Sequence, residues 1–149
     1  VSKFYKKNKL VIITGGGSTA RKYMNLKKFD YKKKIDKRGS LLAIDFKKLL
    51  KIRVKRIFFI SGNKIFTRGN HAHKKCIQCF IQLRGKCLIS LSSKNKSKKI
   101  ILNDKKKSGI IVYPKTWIKI KFYSKNNLTL ALCSHEYDNK DYIKKFQNL

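Results

Sequence analysis

Short apolar runs recur along most of this chain, and the residues between them are turn formers. SLLAID (40–45), VKRIFFIS (54–61), CIQCFIQL (76–83), KCLISLS (86–92), KKIILN (98–103), GIIVYP (109–114), WIKIKFY (117–123) and LTLALCS (128–134) are rich in Ile, Leu, Val and Phe, as strands are. Gly62-Asn63, Arg68-Gly69-Asn70, Arg84-Gly85, Asn103-Asp104, Ser108-Gly109 and Asn126-Asn127 separate them and read as turns. In WIKIKFY the apolar Ile118, Ile120 and Phe122 share one face, and Lys119 and Lys121 share the other. That is a strand with one wet face. Many short strands at even spacing predict an all-β sandwich or barrel, not a βαβ fold.

Two stretches read differently. FKKLLKIRV (46–54) has room for a short helical turn. DNKDYIKKFQNL (138–149) predicts a short C-terminal helix, capped by Asp138 or Asn139, with Tyr142, Ile143 and Phe146 as its apolar stripe. Near the start, LVIITGGGSTA reads as a short strand running into glycines. A phosphate-binding loop there would need a following helix and a βαβ unit, and the next segment is basic and weakly patterned. The expected organisation is a basic extension or edge strand over residues 1–30 and one domain over 31–149.

Length and composition narrow the function. With 149 residues, 42% of them hydrophobic, the chain has enough for one core and not for a second catalytic domain. The formal charge of +32 raises the question of nucleic acid, because clustered Lys and Arg release counterions from phosphates. Here Arg stands only at 21, 38, 53, 56, 68 and 84, and the lysines run along the whole chain. Ile, Asn, Phe and Tyr are also abundant, and these residues share A/T-rich codons. The charge therefore reads as compositional drift, and neither nucleic acid nor a membrane is the expected partner. Cys76, Cys79, Cys87 and Cys133 include a Cys-x-x-Cys spacing, but it lies inside an apolar run with no second pair. Buried, reduced thiols and a cytoplasmic setting are expected. LVIIT is too short for a signal-peptide core or a membrane span.

Chemistry concentrates in Arg68-Gly69-Asn70-His71-Ala72-His73. Histidines two apart on a strand point to one face. If that face lines a barrel, both imidazoles enter one cavity. Gln78 and Gly85 follow at the intervals of HxH-x4-Q-x6-G, which resembles the first motif of the cupins, where two His and a Glu bind metal. Gly109-x4-Pro114 resembles the second motif, which supplies a third His after the proline. Gln78 is a neutral, poor ligand, and Ile118 and Lys119 occupy the places for that third His. A cupin-type double-stranded β-helix, or jelly-roll barrel, without metal is expected, with two free imidazoles suited to proton transfer at neutral pH.

Several pieces together extend this likeness. DKRGSLLAID, TRGNHAHKKCIQCFIQLRGKC, VYPKTW and the ending HEYDNKDYIKKF resemble, in the right order over roughly residues 31–147, the dTDP-4-keto-6-deoxyglucose 3,4-ketoisomerases, the WxcM-like sugar isomerases. The resemblance implies a jelly roll that moves the ketone of a dTDP-linked 4-keto-6-deoxyhexose from C4 to C3 with no cofactor and no metal. The product would feed an aminotransferase that makes 3-amino-3,6-dideoxy sugars for surface polysaccharide. It implies a homodimer, often with an N-terminal strand exchanged. It makes His71 and His73 the acid/base groups and puts Arg38 in the active site. Two departures stand out: Ile118 replaces a His common after Trp117, and Phe58 and Phe59 replace tyrosines. By residue type, a neutral His takes the C3 proton, made acidic by the C4 ketone, and leaves an enediolate. Arg38, Arg68 or Gln78 could steady its charge. Arginines suit the diphosphate, and Trp117 could stack on thymine or pack in the core. A non-catalytic sugar-nucleotide-binding module, a metal-dependent cupin and a nucleic-acid-binding barrel are the competing readings.

Overall fold

A computed structural model describes residues 26–45 and 52–149. The glycine run near residue 15 and most of the FKKLLKIRV segment lie outside the described residues. The strands are β1 (Leu26–Asp30), β2 (Lys33–Asp36), β3 (Gly39–Leu42), β4 (Arg56–Gly62), β5 (Phe66–His73), β6 (Gln78–Arg84), β7 (Lys86–Ser93), β8 (Lys96–Asn103), β9 (Ser108–Val112), β10 (Trp117–Phe122), β11 (Asn127–Cys133) and β12 (Tyr142–Ile143). They form two five-stranded sheets, β1-β9-β6-β11-β4 and β12-β5-β10-β7-β8, and a separate two-stranded hairpin, β2-β3. From β4 onward the chain crosses between the large sheets at almost every connection, which winds it into the jelly roll of the cupins. All pairings are antiparallel.

The hydrophobic pattern explains which faces meet. On β10, Ile118, Ile120 and Phe122 are buried and Lys119 and Lys121 are exposed, as the alternation predicts. The buried set joins Phe80, Ile89, Leu91, Ile100, Leu102 and Ile110 between the sheets. Each such burial is worth about 1.5–3 kcal/mol. CIQCFIQL is apolar almost throughout because β6 is covered on both faces. Its other side, with Cys79 and Ile81, packs under Phe29, Tyr31, Leu42 and Val54. Residues 26–30, from the weakly patterned start, form the edge strand of this sheet against β9. All four cysteines are buried and free.

Three local expectations need correction. Arg68-Gly69-Asn70 is not a turn. It is a bulge inside β5, where the register against β10 shifts between Ile118 and Lys119. Gly69 has φ 94 and Asn70 φ 57. A Cβ on Gly69 would sit 2.6 Å from the Ile118 carbonyl oxygen, so only glycine lets the strands close there. Ser108-Gly109 likewise begins a strand, because the turn is completed by residues 104–107. The expected C-terminal α-helix is absent from the described residues. Two 3-10 turns, Asn139–Asp141 and Phe146–Asn148, flank β12 instead. Asp138 does cap, accepting from Lys140 N, but pairing of Tyr142 with His73 and of Ile143 with Ala72 pulls the segment into the sheet. No helix among the described residues is long and apolar enough to cross a membrane.

Candidate active site

A cavity of ≈ 650 Å³ opens between the sheets. Thr67, Arg68, Gly69, Asn70 and His71 of β5, the stretch that holds the bulge, all line it. Phe58, Phe59, Ile60 and Ser61 of β4, Gln78 and Phe80 of β6, Ile118 and Ile120 of β10, and Tyr142 of β12 complete the wall.

His71 and His73 lie on one face, as expected, with ring centroids 5.1 Å apart and planes at 86°. They differ in depth. His71 lines the cavity, while His73 stands against His71 and is 4% exposed. The Tyr142 ring stands against both, 4.9 Å from His71 and 4.4 Å from His73. His73 Nδ1 lies 2.8 Å from Asp141 Oδ2. Asp141 is itself held by the backbone, since Lys75 N donates to Oδ1 at 2.8 Å and Cys76 N to Oδ2 at 3.3 Å. A carboxylate on Nδ1 fixes the proton there and leaves the Nε2 lone pair free. Nε2 is buried with no hydrogen-bond partner among the described residues.

The electrostatics agree. Burial pushes both imidazoles below the usual histidine value; for His73 it outweighs the opposing pull of Asp141. Both are therefore neutral at pH 7. Burial also works against the Asp141 carboxylate, but hydrogen bonds from His73, Lys75 and Cys76 hold it below the ordinary value.

Other expected site residues fall in different places. Arg68 and Gln78 line the cavity, and Gln78 Nε2 donates to Cys133 Sγ at 3.7 Å. Arg38 does not reach the cavity within this chain. It is exposed on the β2-β3 hairpin and paired with Asp36 at 2.7 Å. Trp117 is not on the cavity wall either. Its ring packs edge-on against Phe146, with centroids 5.6 Å apart.

The donor set fits a metal poorly. Gln78 is occupied with Cys133, and Ile118 supplies no ligand where the third His would stand. His73, Cys76 and Asp141 bring one ligand atom each within 4.8 Å of one another. However, the Cys76 thiol donates to the Ile77 carbonyl at 3.4 Å, and the Asp141 carboxylate is already taken up by His73, Lys75 N and Cys76 N. Within the trio, His73 Nδ1 and Cys76 N both meet Asp141 Oδ2.

Asp141 and Tyr142 had no assigned role in the sequence reading, which placed Tyr142 on a helix stripe. Scarcity was the available signal. The chain has seven acidic residues against 39 basic ones, so a carboxylate beside an apolar pair is conspicuous.

The chain is 36% identical over 126 residues to the TDP-4-oxo-6-deoxy-alpha-D-glucose-3,4-oxoisomerase of Aneurinibacillus thermoaerophilus, covering 84% of this chain and 90% of that one. Its structure is similar to that of QdtA, a sugar 3,4-ketoisomerase from Thermoanaerobacterium thermosaccharolyticum solved with TDP: TM-score 0.77, 33% identity, 83% of this chain and 90% of that one. It is equally similar to a 3,4-ketoisomerase from Helicobacter canadensis, with TM-score 0.77, 33% identity and coverage of 85% and 95%. The family model described as FdtA, WxcM-like, C-terminal, matches residues 22–149, and the chain belongs to that family.

Proposed function

We propose that the protein is a 3,4-ketoisomerase of a dTDP-linked 4-keto-6-deoxyhexose. One observation carries the proposal most: a cavity walled by His71 and Tyr142, with His73 against both, held by Asp141 and keeping a free Nε2. A neutral imidazole in a fixed tautomer is what removal of a proton next to a ketone requires. His73 takes the C3 proton, an enediolate forms, and a proton returns at C4. His71, on the wall, orients the sugar. Arg68 faces the entering substrate with a cation suited to its diphosphate. No metal takes part, and the buried thiols suit a reducing cytoplasm.

The test is turnover of dTDP-4-keto-6-deoxyglucose, with the 3-keto product trapped by a coupled sugar aminotransferase. Turnover unchanged in EDTA is the expected result. Tight binding of dTDP with no turnover would favour the non-catalytic binding module.

The working unit is a homodimer. Ile35 and Leu41 on the detached β2-β3 hairpin are 69% and 63% exposed. Ile57 and Phe59 project from β4, which among the described residues is a sheet edge beside the cavity. A second copy covering both patches could bring its Arg38 toward the cavity mouth, which the chain's own Arg38 does not reach. Light scattering should give twice the chain mass, and Leu41→Lys should shift it toward the monomer. A monomer at working concentration would exclude the arrangement.

A further inference from the structure

Isomerisation moves two hydrogens, one from C3 to C4 and one from O3 to O4. The histidines account for the carbon-bound one. Resting on the ketoisomerase reading, we propose that Tyr142 is a catalytic residue that carries the oxygen-bound proton, giving it to O4 and recovering it from O3.

The placement supports this from several sides. Tyr142 lines the cavity, and its ring touches both imidazoles. Pairing of β12 with β5 sets Tyr142 directly opposite His73, so base and phenol are held on one rigid ladder. The adjacent residue, Asp141, fixes the base, and one dipeptide thus organises both groups. The Arg56 guanidinium stands by the Tyr142 hydroxyl and is in position to steady a phenolate. Its Nη2 donates to Cys133 Sγ at 3.4 Å, and its Nε is buried without a partner, so it has donor capacity left. Tyr137 also faces this group, with ring centroids 5.8 Å apart. Burial raises the Tyr142 phenol above its ordinary value against the pull of Arg56. It is protonated at neutral pH, as an acid must be.

The step balances without any co-reactant. His73 Nε2 takes the C3 hydrogen, and that bonding pair forms the C3–C4 double bond. The carbonyl pair moves onto O4, which takes the hydroxyl hydrogen of Tyr142. With that hydrogen on O4, the enediolate of the proposed reaction becomes a neutral 3,4-enediol beside an imidazolium and a phenolate. The phenolate then takes the O3 hydrogen, and the O3–H pair forms the new carbonyl at C3. The double-bond pair takes the hydrogen from the imidazolium at C4. C3 is oxidised, C4 is reduced, and both side chains regain their starting states.

Tyr142→Phe tests the proposal, because it removes the hydroxyl and keeps the ring against both histidines. Isomerisation of dTDP-4-keto-6-deoxyglucose and exchange of its C3 hydrogen with deuterium oxide are followed in parallel for wild type and variant. The expected result is a kcat lower by roughly 10²–10⁴-fold, with dTDP affinity and melting temperature near wild type. A variant that keeps pace within roughly threefold of an active wild type overturns the Tyr142 assignment alone. A wild type that neither exchanges nor isomerises overturns the ketoisomerase reading itself.

Discussion

His73→Asn is expected to lower kcat by roughly 10²–10⁴-fold while leaving dTDP affinity near wild type. Asparagine keeps a hydrogen-bonding side chain of similar size opposite Asp141 but has no titrating nitrogen to accept the C3 proton. The loss should appear first in exchange of the C3 hydrogen with solvent deuterium, which reports proton removal even when the product is disfavoured. pH adds a second signature. Burial depresses His73 below 6.5 in the fold, so the neutral base persists to lower pH than in a free imidazole. The acid limb of kcat/KM in the wild type should therefore lie below pH 6.5, and should be gone from the residual activity of the variant. His71→Asn is the control. Its side chain is on the cavity wall and lacks the carboxylate clamp, so it should raise KM more than it slows exchange. If both variants exchanged the C3 hydrogen at the wild-type rate, neither histidine would be the base.

The barrel was legible in the sequence because its strands alternate or are continuously apolar. WIKIKFY gives β10 residue by residue, and CIQCFIQL gives a strand covered on both faces. That His71 and His73 share a face followed from period-two geometry. What escaped depends on long-range pairing. Arg68-Gly69-Asn70 has the composition of a turn, and only the facing carbonyl of Ile118 shows that the glycine serves a bulge. DNKDYIKKFQNL has helical periodicity, yet β5 offers an open edge that takes Tyr142 and Ile143 as a strand. Tertiary pairing overrides a weak local preference in such a case. With that error the partner of the histidine was hidden too. The pairing of Asp141 with His73 spans 68 residues, and no local pattern reports it.

Asp141→Asn should cost nearly as much as loss of the histidine, with a kcat lower by roughly 10²–10⁴-fold, although Asp141 need not touch substrate. The carboxylate only accepts, so it keeps the His73 proton on Nδ1 and the lone pair on Nε2. An amide can turn its NH₂ toward Nδ1 and stabilise the opposite tautomer, which presents a hydrogen where the base is needed. Asp141 is thus a positioning residue. The readout that separates this from mere structural support is a double-mutant cycle. His73→Asn with Asp141→Asn should be no slower than His73→Asn alone, because the pair acts as one unit. Stability will change as well. Lys75 N and Cys76 N both rely on the carboxylate, and leaving one unsatisfied costs about 1–3 kcal/mol. The sign with pH is fixed. The fold holds the Asp141 carboxyl below its ordinary value, so its contribution is complete above the unfolded value and is lost as pH falls through the folded one. Asp141→Asn should flatten that acid-side loss in a melting series while lowering the plateau at neutral pH. A variant with a lower melting temperature but wild-type kcat would show that Asp141 holds the β5–β6 connection and does nothing for His73.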